Sequence, residues 1–404
     1  MQLSIDDLPM FFGPEHHALA ARLRELAPAI ARVERVAGAE AARDAAAVAA
    51  LAEAGLFAHV APLGGQVDAR ALCLCREMLG YVSPRADSIF AVQGLGVHPL
   101  LLAGSEAQRA QVPAFAAGAR IAAFALTEPE AGSDVAAIAT SARADGQGYV
   151  LDGEKLFISN LGVAGVATVF AQVRGETSPG GRTLTAFWVP LDAPGITVTA
   201  QTAIAPHPIG ALTLRGVRVP SEARVGQVGD GFSLALRTLD AFRVSVGAAA
   251  VGMARRAMDE ALCHVTSRVQ FGKPLAEQPL VAAHLADCAV DLDAARLLVL
   301  RAAHAKDAGA GRSATSAVSI AKLGATEAAQ RIIDRAVQLF GGRGVMAGAV
   351  VETLYRAIRP LRIYEGTSEI QRTIIGRALV AGPLPDLASL RGEGGVAPPS
   401  DGSG

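Results

Sequence analysis

The chain has 404 residues, of which 51% are hydrophobic and 19% charged, and its formal net charge is -1 at pH 7. This balance predicts a globular protein that is long enough for two or three domains with sizeable cores. Because the sequence contains no dense run of Lys and Arg, we expect no direct binding to DNA or RNA.

Apolar residues recur at helical spacing in the first part of the chain, for instance at Leu19, Leu23, Leu26 and Ile30. No segment there shows the alternation of apolar and polar residues that is typical of a strand. We therefore predict an all-helical N-terminal domain over residues 1–120.

Short β-type segments separated by Gly and Pro follow, and they predict a middle β-domain over residues 121–228. Segments 149–151 and 156–158 flank Asp152-Gly153, a pair typical of tight turns, so we predict a hairpin at this point. Further strands are predicted over residues 183–189, 196–199 and 212–219.

Long amphipathic patterns return after Gly229 and predict a C-terminal helical domain over residues 229–383. The best-defined helices are expected over residues 246–265, 280–305 and 317–340. Residues 384–404 are poor in apolar side chains, and we predict that this tail is disordered.

Two further features indicate a soluble cytoplasmic protein without a metal site. Residues 1–14 lack the basic start and continuous apolar run of a secretory signal, and no uninterrupted apolar stretch reaches membrane-spanning length. Cys73 and Cys75 lie two apart on a predicted helix, where their side chains point in different directions, so we interpret them as packing residues.

Four motifs carry the chemistry of the chain: the first occupies residues 361–371, the second 123–134, the third 153–160 and the fourth 268–274. Together they resemble the acyl-CoA dehydrogenase family of flavoenzymes. The resemblance runs from about residue 12 to residue 382. It implies an α+β fold with an N-terminal helical domain, a middle β-barrel or β-sandwich domain and a C-terminal four-helix bundle.

The same resemblance implies that the protein is an FAD-dependent enzyme that converts an acyl-CoA to a trans-2-enoyl-CoA. It further implies a homotetramer built as a dimer of dimers, with electron-transferring flavoprotein as the electron acceptor. Three alternatives stay open: an acyl-CoA oxidase, a dehydrogenase of acyl-carrier-protein thioesters, and a catalytically weak flavin-bound homologue that protects nucleic acid. The acyl group is also left open.

Glu365 is the candidate catalytic base. It precedes a predicted helix that runs to about residue 379, with Ser368 as the N-cap and Gln371 as its capping-box partner. By resemblance, Glu365 removes the α-proton of the thioester, and burial would raise its pKa towards the range that a general base needs. Some relatives carry the base on a bundle helix immediately before an arginine; here Phe242 precedes Arg243, and a phenylalanine accepts no proton. An exposed acid before a helix is the alternative interpretation of Glu365.

The resemblance also assigns residues to the flavin. Thr127 would donate to the pyrimidine edge of the isoalloxazine ring, Phe157 would lie against the ring, and Ser159 would reach it with a hydroxyl group. The full set implied by the second and third motifs is Phe124, Leu126, Thr127, Gly132, Ser133, Phe157 and Ser159. By pattern alone, the second motif is any capped turn and the third is one strand of a hairpin.

The fourth motif, residues 268–274, predicts a helix that ends at Gly272 with a proline beyond it. By resemblance, Arg268 and Phe271 reach the FAD of a neighbouring subunit, where the guanidinium group pairs with pyrophosphate. An arginine that satisfies the helix dipole is the alternative. The remaining residues that the resemblance places at FAD are Gln278, Gln338, Gly341, Gly342, Thr367 and Glu369.

Substrate contacts are implied for Ser133, Asp240, Arg243 and Gly366. Asp240 and Arg243 match positions near the CoA adenine and the catalytic loop, although an Asp and an Arg three residues apart also form an ordinary helix pair. His207 either contacts a CoA phosphate or is a surface-turn histidine, and the latter is favoured.

Overall fold

Six α-helices form the N-terminal part of the computed structural model, which describes residues 5–205 and 207–382. Three of them begin with a side-chain cap: the Asp68 carboxylate accepts from the Ala71 amide at 2.8 Å, the Ser83 hydroxyl from the Ala86 amide at 3.1 Å, and the Ser105 hydroxyl from the Gln108 amide at 3.2 Å. The helices are α1 Pro14–Ala31, α2 Glu40–Glu53, α3 Ala69–Val82, α4 Pro84–Ala103, α5 Glu106–Arg109 and α6 Val112–Ala116.

Helix α4 is the one helix in the described part of the chain whose length and apolar composition would suit a membrane span. Of its apolar window, 72% is buried inside the protein. This burial accounts for its composition, because α4 packs against α2, the long helix Gly231–Ser267 and the first strand of the sheet.

Eight strands form one sheet in the middle of the chain, in the order β6-β7-β3-β2-β4-β5-β8, with β1 parallel to β4. The short strand β1 leads from α6 directly into the second motif, so the sheet carries that motif at its junction with the helices. The strands are β1 Ala122–Ala125, β2 Ser141–Ala144, β3 Gly148–Ser159, β4 Val166–Arg174, β5 Leu184–Pro190, β6 Ile196–Ala200, β7 Ile209–Pro220 and β8 Arg224–Val225.

The hairpin predicted at Asp152-Gly153 is wrong, because both flanking segments belong to the single strand β3. The pairing of β3 with β7 shifts register at this point, and Gly153 has a φ of 153°. A Cβ atom on Gly153 would lie 2.5 Å from the Thr140 hydroxyl oxygen. The Asp-Gly pair therefore produces a bulge at a close approach of two chain segments, rather than a chain reversal.

Three long helices dominate the C-terminal part, as the amphipathic patterns predicted. Helix α7 packs against both α3 and α9, and the contact with α3 depends on glycine: a Cβ atom on Gly252 would lie 2.1 Å from the Glu77 carbonyl oxygen. The elements are α7 Gly231–Ser267, β9 Val269–Gln270, β10 Lys273–Pro274, α8 Pro279–Asp307, α9 Gly311–Phe340, α10 Val350–Ile358 and α11 Ser368–Val380.

The helix predicted to end at Gly272 ends instead at Ser267. Strands β9 and β10 form a two-residue hairpin with Phe271 and Gly272 at its tip, where φ is 53° and 79°. Two consecutive residues with positive φ are typical of a tight hairpin turn. The predicted order of helical, β and helical parts is thus confirmed, whereas the predicted disordered tail, residues 384–404, lies outside the described residues.

Candidate active site

Glu365 lies on the turn that precedes α11, and its backbone is in the left-handed region with a φ of 54°. Gly366 follows with a φ of 92°, and a Cβ atom there would lie 2.6 Å from the Gln371 amide nitrogen. A non-glycine residue in this region costs of the order of 1–2 kcal/mol and persists only where surrounding contacts hold it.

Three buried side chains from three helices hold this turn. Arg243 of α7 donates from Nε to the Glu365 carbonyl at 3.0 Å, and Lys322 of α9 donates from Nζ to the Gly366 carbonyl at 2.8 Å. Gln371 of α11 donates to the same Gly366 carbonyl at 3.0 Å. These bonds explain how a strained conformation is maintained at the candidate base, and they show that Arg243 contacts the Glu365 turn.

The predicted N-cap Ser368 is wrong by one residue. Thr367 is the N-cap, and its hydroxyl accepts from the Ile370 amide at 3.3 Å, while Ser368 begins the helix and donates to Glu327 at 2.7 Å. Gln371 donates to the Gly366 carbonyl instead of closing a capping box, because it stands four residues after the N-cap Thr367, one position beyond the one that a capping box uses.

The Glu365 side chain is buried, with 8% of its surface exposed. Burial raises the pKa of Glu365, and the nearby cations Arg76, Arg243 and Lys322 partly oppose this shift. Its Oε2 atom has no hydrogen-bond partner among the described residues. A carboxylate with a raised pKa and a free oxygen is suited to take up a proton.

An ion pair that the sequence analysis missed lies close to Glu365. Arg76 of α3 binds Asp87 of α4 through two hydrogen bonds of 2.8 and 2.7 Å, and its Nη1 donates to the Ser245 hydroxyl at 3.1 Å. Both charged side chains are at most 1% exposed. The available signal was the presence of charged residues in helical segments that are otherwise rich in apolar side chains, a feature that marks paired or functional groups.

A small cavity of about 40 Å³ adjoins this region and joins the three parts of the chain. Tyr364, the neighbour of Glu365 in the sequence, is among its lining residues, whereas Glu365 itself does not line it. The lining consists of Glu34, Pro84, Arg85, Asp87, Ser88, Ala205, His207, Met253, Thr353, Ala357, Pro360, Leu361 and Tyr364.

The second and third motifs lie side by side at the edge of the helical part. The Leu156 amide donates to the Thr127 carbonyl at 2.9 Å, which places Thr127 next to Phe157. The buried Lys155 binds Glu128 at 2.7 Å and thereby holds the following loop. These contacts unite two motifs that the sequence predicted to line one cofactor.

Phe157 and the glycine loop leave room for a planar cofactor. The Phe157 side chain is 61% exposed at a φ of 58°, and no atom lies within 4 Å of a Cβ atom built on Gly132. Ser133 is exposed, whereas Leu126 is buried and Phe124 packs edge-to-face on Phe170 at 5.0 Å. An exposed ring beside an open backbone segment fits the face of a flavin.

Ser159 and His207 contact each other at 3.2 Å, and the other ring nitrogen of His207 lies 2.9 Å from the Ala205 carbonyl oxygen. Since a carbonyl only accepts, Nδ1 carries the proton and Nε2 accepts from the Ser159 hydroxyl. His207 is half-buried, and burial lowers its pKa. His207 thus lies in a bend and forms two hydrogen bonds within the chain, which agrees with the favoured interpretation as a turn histidine, and its contact with a CoA phosphate stays a prediction.

Asp240 forms an ion pair with a neighbouring helix. Its carboxylate binds Lys306 of α8 at 2.7 Å, and Arg243 lies 3.9 Å away on the same helix. The two predicted substrate residues thus differ, since Arg243 contacts the Glu365 turn and Asp240 ties α7 to α8.

The end of the bundle farthest from the Glu365 turn carries Arg268, Phe271 and the glycines that follow α9. His264, near the end of α7, stacks on Phe340 at 4.3 Å, which brings Arg268 close to the end of α9. At a rise of 1.5 Å per residue, Gln338 lies about 24 Å farther along α9 than Lys322. The structure therefore separates this predicted group from the Glu365 turn.

The predicted FAD residues at this end of the bundle are exposed to solvent. Phe271 is 94% exposed, Arg268 is exposed and has no ion-pair partner among the described residues, and Gln338, Gly341 and Gly342 are also exposed. Gln278 caps the start of α8, while Thr367 and the exposed Glu369 begin α11. In addition, the described residues contain no cluster of potential metal ligands, and Cys73 and Cys75 are buried as expected.

Family models match the three parts of the chain in the same order. They are described as acyl-CoA dehydrogenase N-terminal, middle and C-terminal domains, and they match residues 13–119, 123–217 and 229–380. A mitochondrial short-chain specific acyl-CoA dehydrogenase of Bos taurus is 36% identical over 88% of this chain and 87% of its own length.

Two further relatives bear on the cofactor and on the partner. The caffeyl-CoA reductase-Etf complex subunit CarC of Acetobacterium woodii is 36% identical over 82% of this chain and 88% of its own length. A glutaryl-CoA dehydrogenase of Mycobacterium smegmatis, solved in complex with FADH2, is 28% identical, with a TM-score of 0.83 over 95% of this chain and 98% of that one. FAD is the cofactor, and the enzyme belongs to the acyl-CoA dehydrogenase family.

Proposed function

We propose that the protein oxidises an acyl-CoA between its α and β carbons and releases the trans-2-enoyl-CoA. The observation that carries the proposal is the buried Glu365 carboxylate, which has a free oxygen and a raised pKa on a turn held by three helices. In the proposed reaction, Glu365 takes the α-proton, and the electron pair of the broken Cα–H bond forms the new double bond as the β-hydride leaves.

FAD, when bound, supplies flavin N5 as the acceptor of the β-hydride. Thr127 and Phe157 are proposed to hold the ring, since they lie side by side and Phe157 exposes its aromatic face. The exposed Gly132 and Ser133 would admit the cofactor and the thioester. Phe242 is fully buried and accepts no proton, so it offers no second base on α7.

We propose a homotetramer in which one FAD site is completed by a neighbouring chain. Arg268 and Phe271 project from a hairpin far along the bundle from the Glu365 turn, and the Arg268 guanidinium has no partner ion among the residues described. Large apolar side chains such as Leu280 and Val290 are 78% and 70% exposed on α8. Exposed apolar surface of this kind favours burial against another subunit.

The acyl-CoA and the electron acceptor are proposed from the resemblance and the relatives. Electron-transferring flavoprotein is the proposed acceptor, supported by the CarC relative that is named as a subunit of an Etf complex. The cytoplasmic location expected from the sequence remains a prediction.

Anaerobic bleaching of the flavin by a panel of acyl-CoA thioesters tests the proposal. A thioester that bleaches the wild type should bleach Glu365→Gln more slowly by roughly 10² to 10⁴-fold, the usual effect of losing a general base. Glu53→Gln, an exposed acid on α2, is the matched control and should react like the wild type. Bleaching of Glu365→Gln at the wild-type rate would refute the assignment of the base, and rapid peroxide release in air would identify an oxidase instead.

A further inference from the structure

Lys322 is a fully buried lysine in the middle of α9 that no sequence motif singled out. Its ammonium nitrogen donates to the Gly366 carbonyl at 2.8 Å. In the part of the chain that the structure describes, no carboxylate lies within ion-pairing distance of it. A buried ammonium group without a paired carboxylate is unfavourable because it loses its hydration, so packing alone does not explain its position.

Charged groups face Lys322 from each element that packs around it. They are Glu365 on the turn before α11, Arg243 on α7, Glu327 on α9 itself and Glu369 on α11. Glu327 already pairs with an arginine at 2.8 Å, and Glu369 is exposed to solvent. Glu365 is therefore the buried anion whose charge Lys322 is placed to offset.

Lys322 is also the least compensated of the cations near Glu365. Arg76 of α3 is bound by both oxygens of Asp87 from α4, and Arg243 lies 3.9 Å from a carboxylate on its own helix. Because a paired cation exerts a weaker net field, the charge of Lys322 acts on Glu365 with the least cancellation.

We propose that Lys322 is a positioning residue for the reaction: its charge keeps the buried Glu365 carboxylate ionised, and its hydrogen bond to Gly366 fixes the turn. This inference rests on the proposed role of Glu365 as the base. Arg243 supplies the second main-chain bond of the turn, from Nε to the Glu365 carbonyl at 3.0 Å.

The charge and the hydrogen bond of Lys322 are separable. Burial lowers the pKa of Lys322 to about 8, so the ammonium group is charged below that pH and neutral above it. A neutral donor at this position would still bind the Gly366 carbonyl, but it would no longer lower the pKa of Glu365. Loss of the charge alone should therefore raise the pKa of Glu365, so that the ionised carboxylate that acts as the base forms only at a higher pH.

Two substitutions test the proposal on the FAD-containing enzyme. Lys322→Gln keeps a hydrogen-bond donor without the charge, and Lys322→Arg keeps the charge. The infrared carboxyl band of Glu365, identified by its absence in Glu365→Gln, is titrated between pH 4 and pH 10 in each variant. The pH dependence of flavin reduction by acyl-CoA is measured alongside, and flavin absorbance confirms the FAD content.

In Lys322→Gln, both the titration of the band and the acid limb of flavin reduction should shift upward by about one pH unit, as expected for loss of one nearby charge. In Lys322→Arg both should stay close to the wild type. A rate that falls equally at every pH while the carboxyl titration is unchanged would overturn the proposal, as would equal shifts in the two variants. If Lys322→Gln does not fold, Lys322→Met is the neutral variant to use.

Failure of this inference is distinguishable from failure of the proposed function. If no thioester bleaches the wild type, or if Glu365→Gln bleaches normally, the proposed function fails. If the wild type bleaches, Glu365→Gln does not, and the carboxyl titration of Lys322→Gln matches that of the wild type, only the role of Lys322 fails.

Discussion

The ion pair between Arg76 and Asp87 should show strong coupling between its two members. It joins α3 to α4 through two bonds of 2.8 and 2.7 Å, and neither side chain is more than 1% exposed. Removal of one partner leaves the other as a buried, unpaired charge, which costs about 3 to 5 kcal/mol. We therefore expect Asp87→Leu and Arg76→Met each to lower the free energy of unfolding by about that amount.

The double variant Arg76→Met, Asp87→Leu removes both charges and fills the space with apolar groups. Replacement of a buried pair in this way is often close to neutral, so the double variant should be more stable than either single variant. Urea unfolding, followed by circular dichroism at one fixed protein concentration and saturating FAD, measures the three free energies. A double variant whose loss equals the sum of the two single losses would refute the reasoning.

The same pair should also act on the base, in opposite directions for its two members. Asp87 raises the pKa of Glu365 and Arg76 lowers it. The acid limb of flavin reduction should therefore move to lower pH in Asp87→Asn and to higher pH in Arg76→Met. Shifts in the same direction would contradict the electrostatic description of the site.

Three further predictions concern the turn, the assembly and pH. Gly366→Ala should lower the free energy of unfolding by about 1–2 kcal/mol or more, because φ is 92° and the new Cβ atom would lie 2.6 Å from the Gln371 side chain. Unchanged urea unfolding would show that an alanine is tolerated in this turn without strain. Arg268→Ala should lower FAD occupancy and weaken the oligomer in parallel, with loss of a contact worth roughly 1.5 to 3 kcal/mol; a monomer with full flavin absorbance on gel filtration would contradict a shared site. Burial raises the pKa of Glu365 in the folded protein, so the contribution of this carboxyl group to stability is present below its unfolded pKa of 4.5 and is lost as pH rises through the folded pKa. Glu365→Gln should accordingly be more stable than the wild type in urea unfolding at pH 8. A less stable variant at that pH would argue against burial as the cause of the raised pKa.

Much of the architecture followed from local pattern. Amphipathic spacing predicted the three long helices of the C-terminal part, and short β-type segments predicted strands that the structure contains as β5, β6 and β7. The motif around Glu365 was recognisable because a glycine-flanked acid before a helix is encoded in consecutive residues. Local pattern suffices where the backbone conformation depends on near neighbours and on the periodicity of apolar side chains.

The errors occurred where tertiary contacts override local preference. Asp152-Gly153 has the composition of a tight turn, yet pairing along β7 keeps the chain extended and turns the glycine into a bulge. The segment after Ser267 was predicted as helix, but two positive φ values at Phe271 and Gly272 make it a hairpin. The sequence does not reveal the extended strand without its partner strand, nor the hairpin without the geometry of its turn.

The electrostatics of the site also depended on the tertiary structure. Arg76 and Lys322 are far from Glu365 in the sequence, and both lie in helical segments whose composition gives no sign of a shared site. Folding brings both side chains close to one buried carboxylate, where the exclusion of water makes their electrostatic interaction with it much stronger than it would be in solution. The sequence by itself therefore predicted Glu365 as the base, whereas the tertiary structure decided the direction of its pKa shift and the hydrogen bonds that hold its turn, because the packed helices bring Arg76, Arg243 and Lys322 to Glu365.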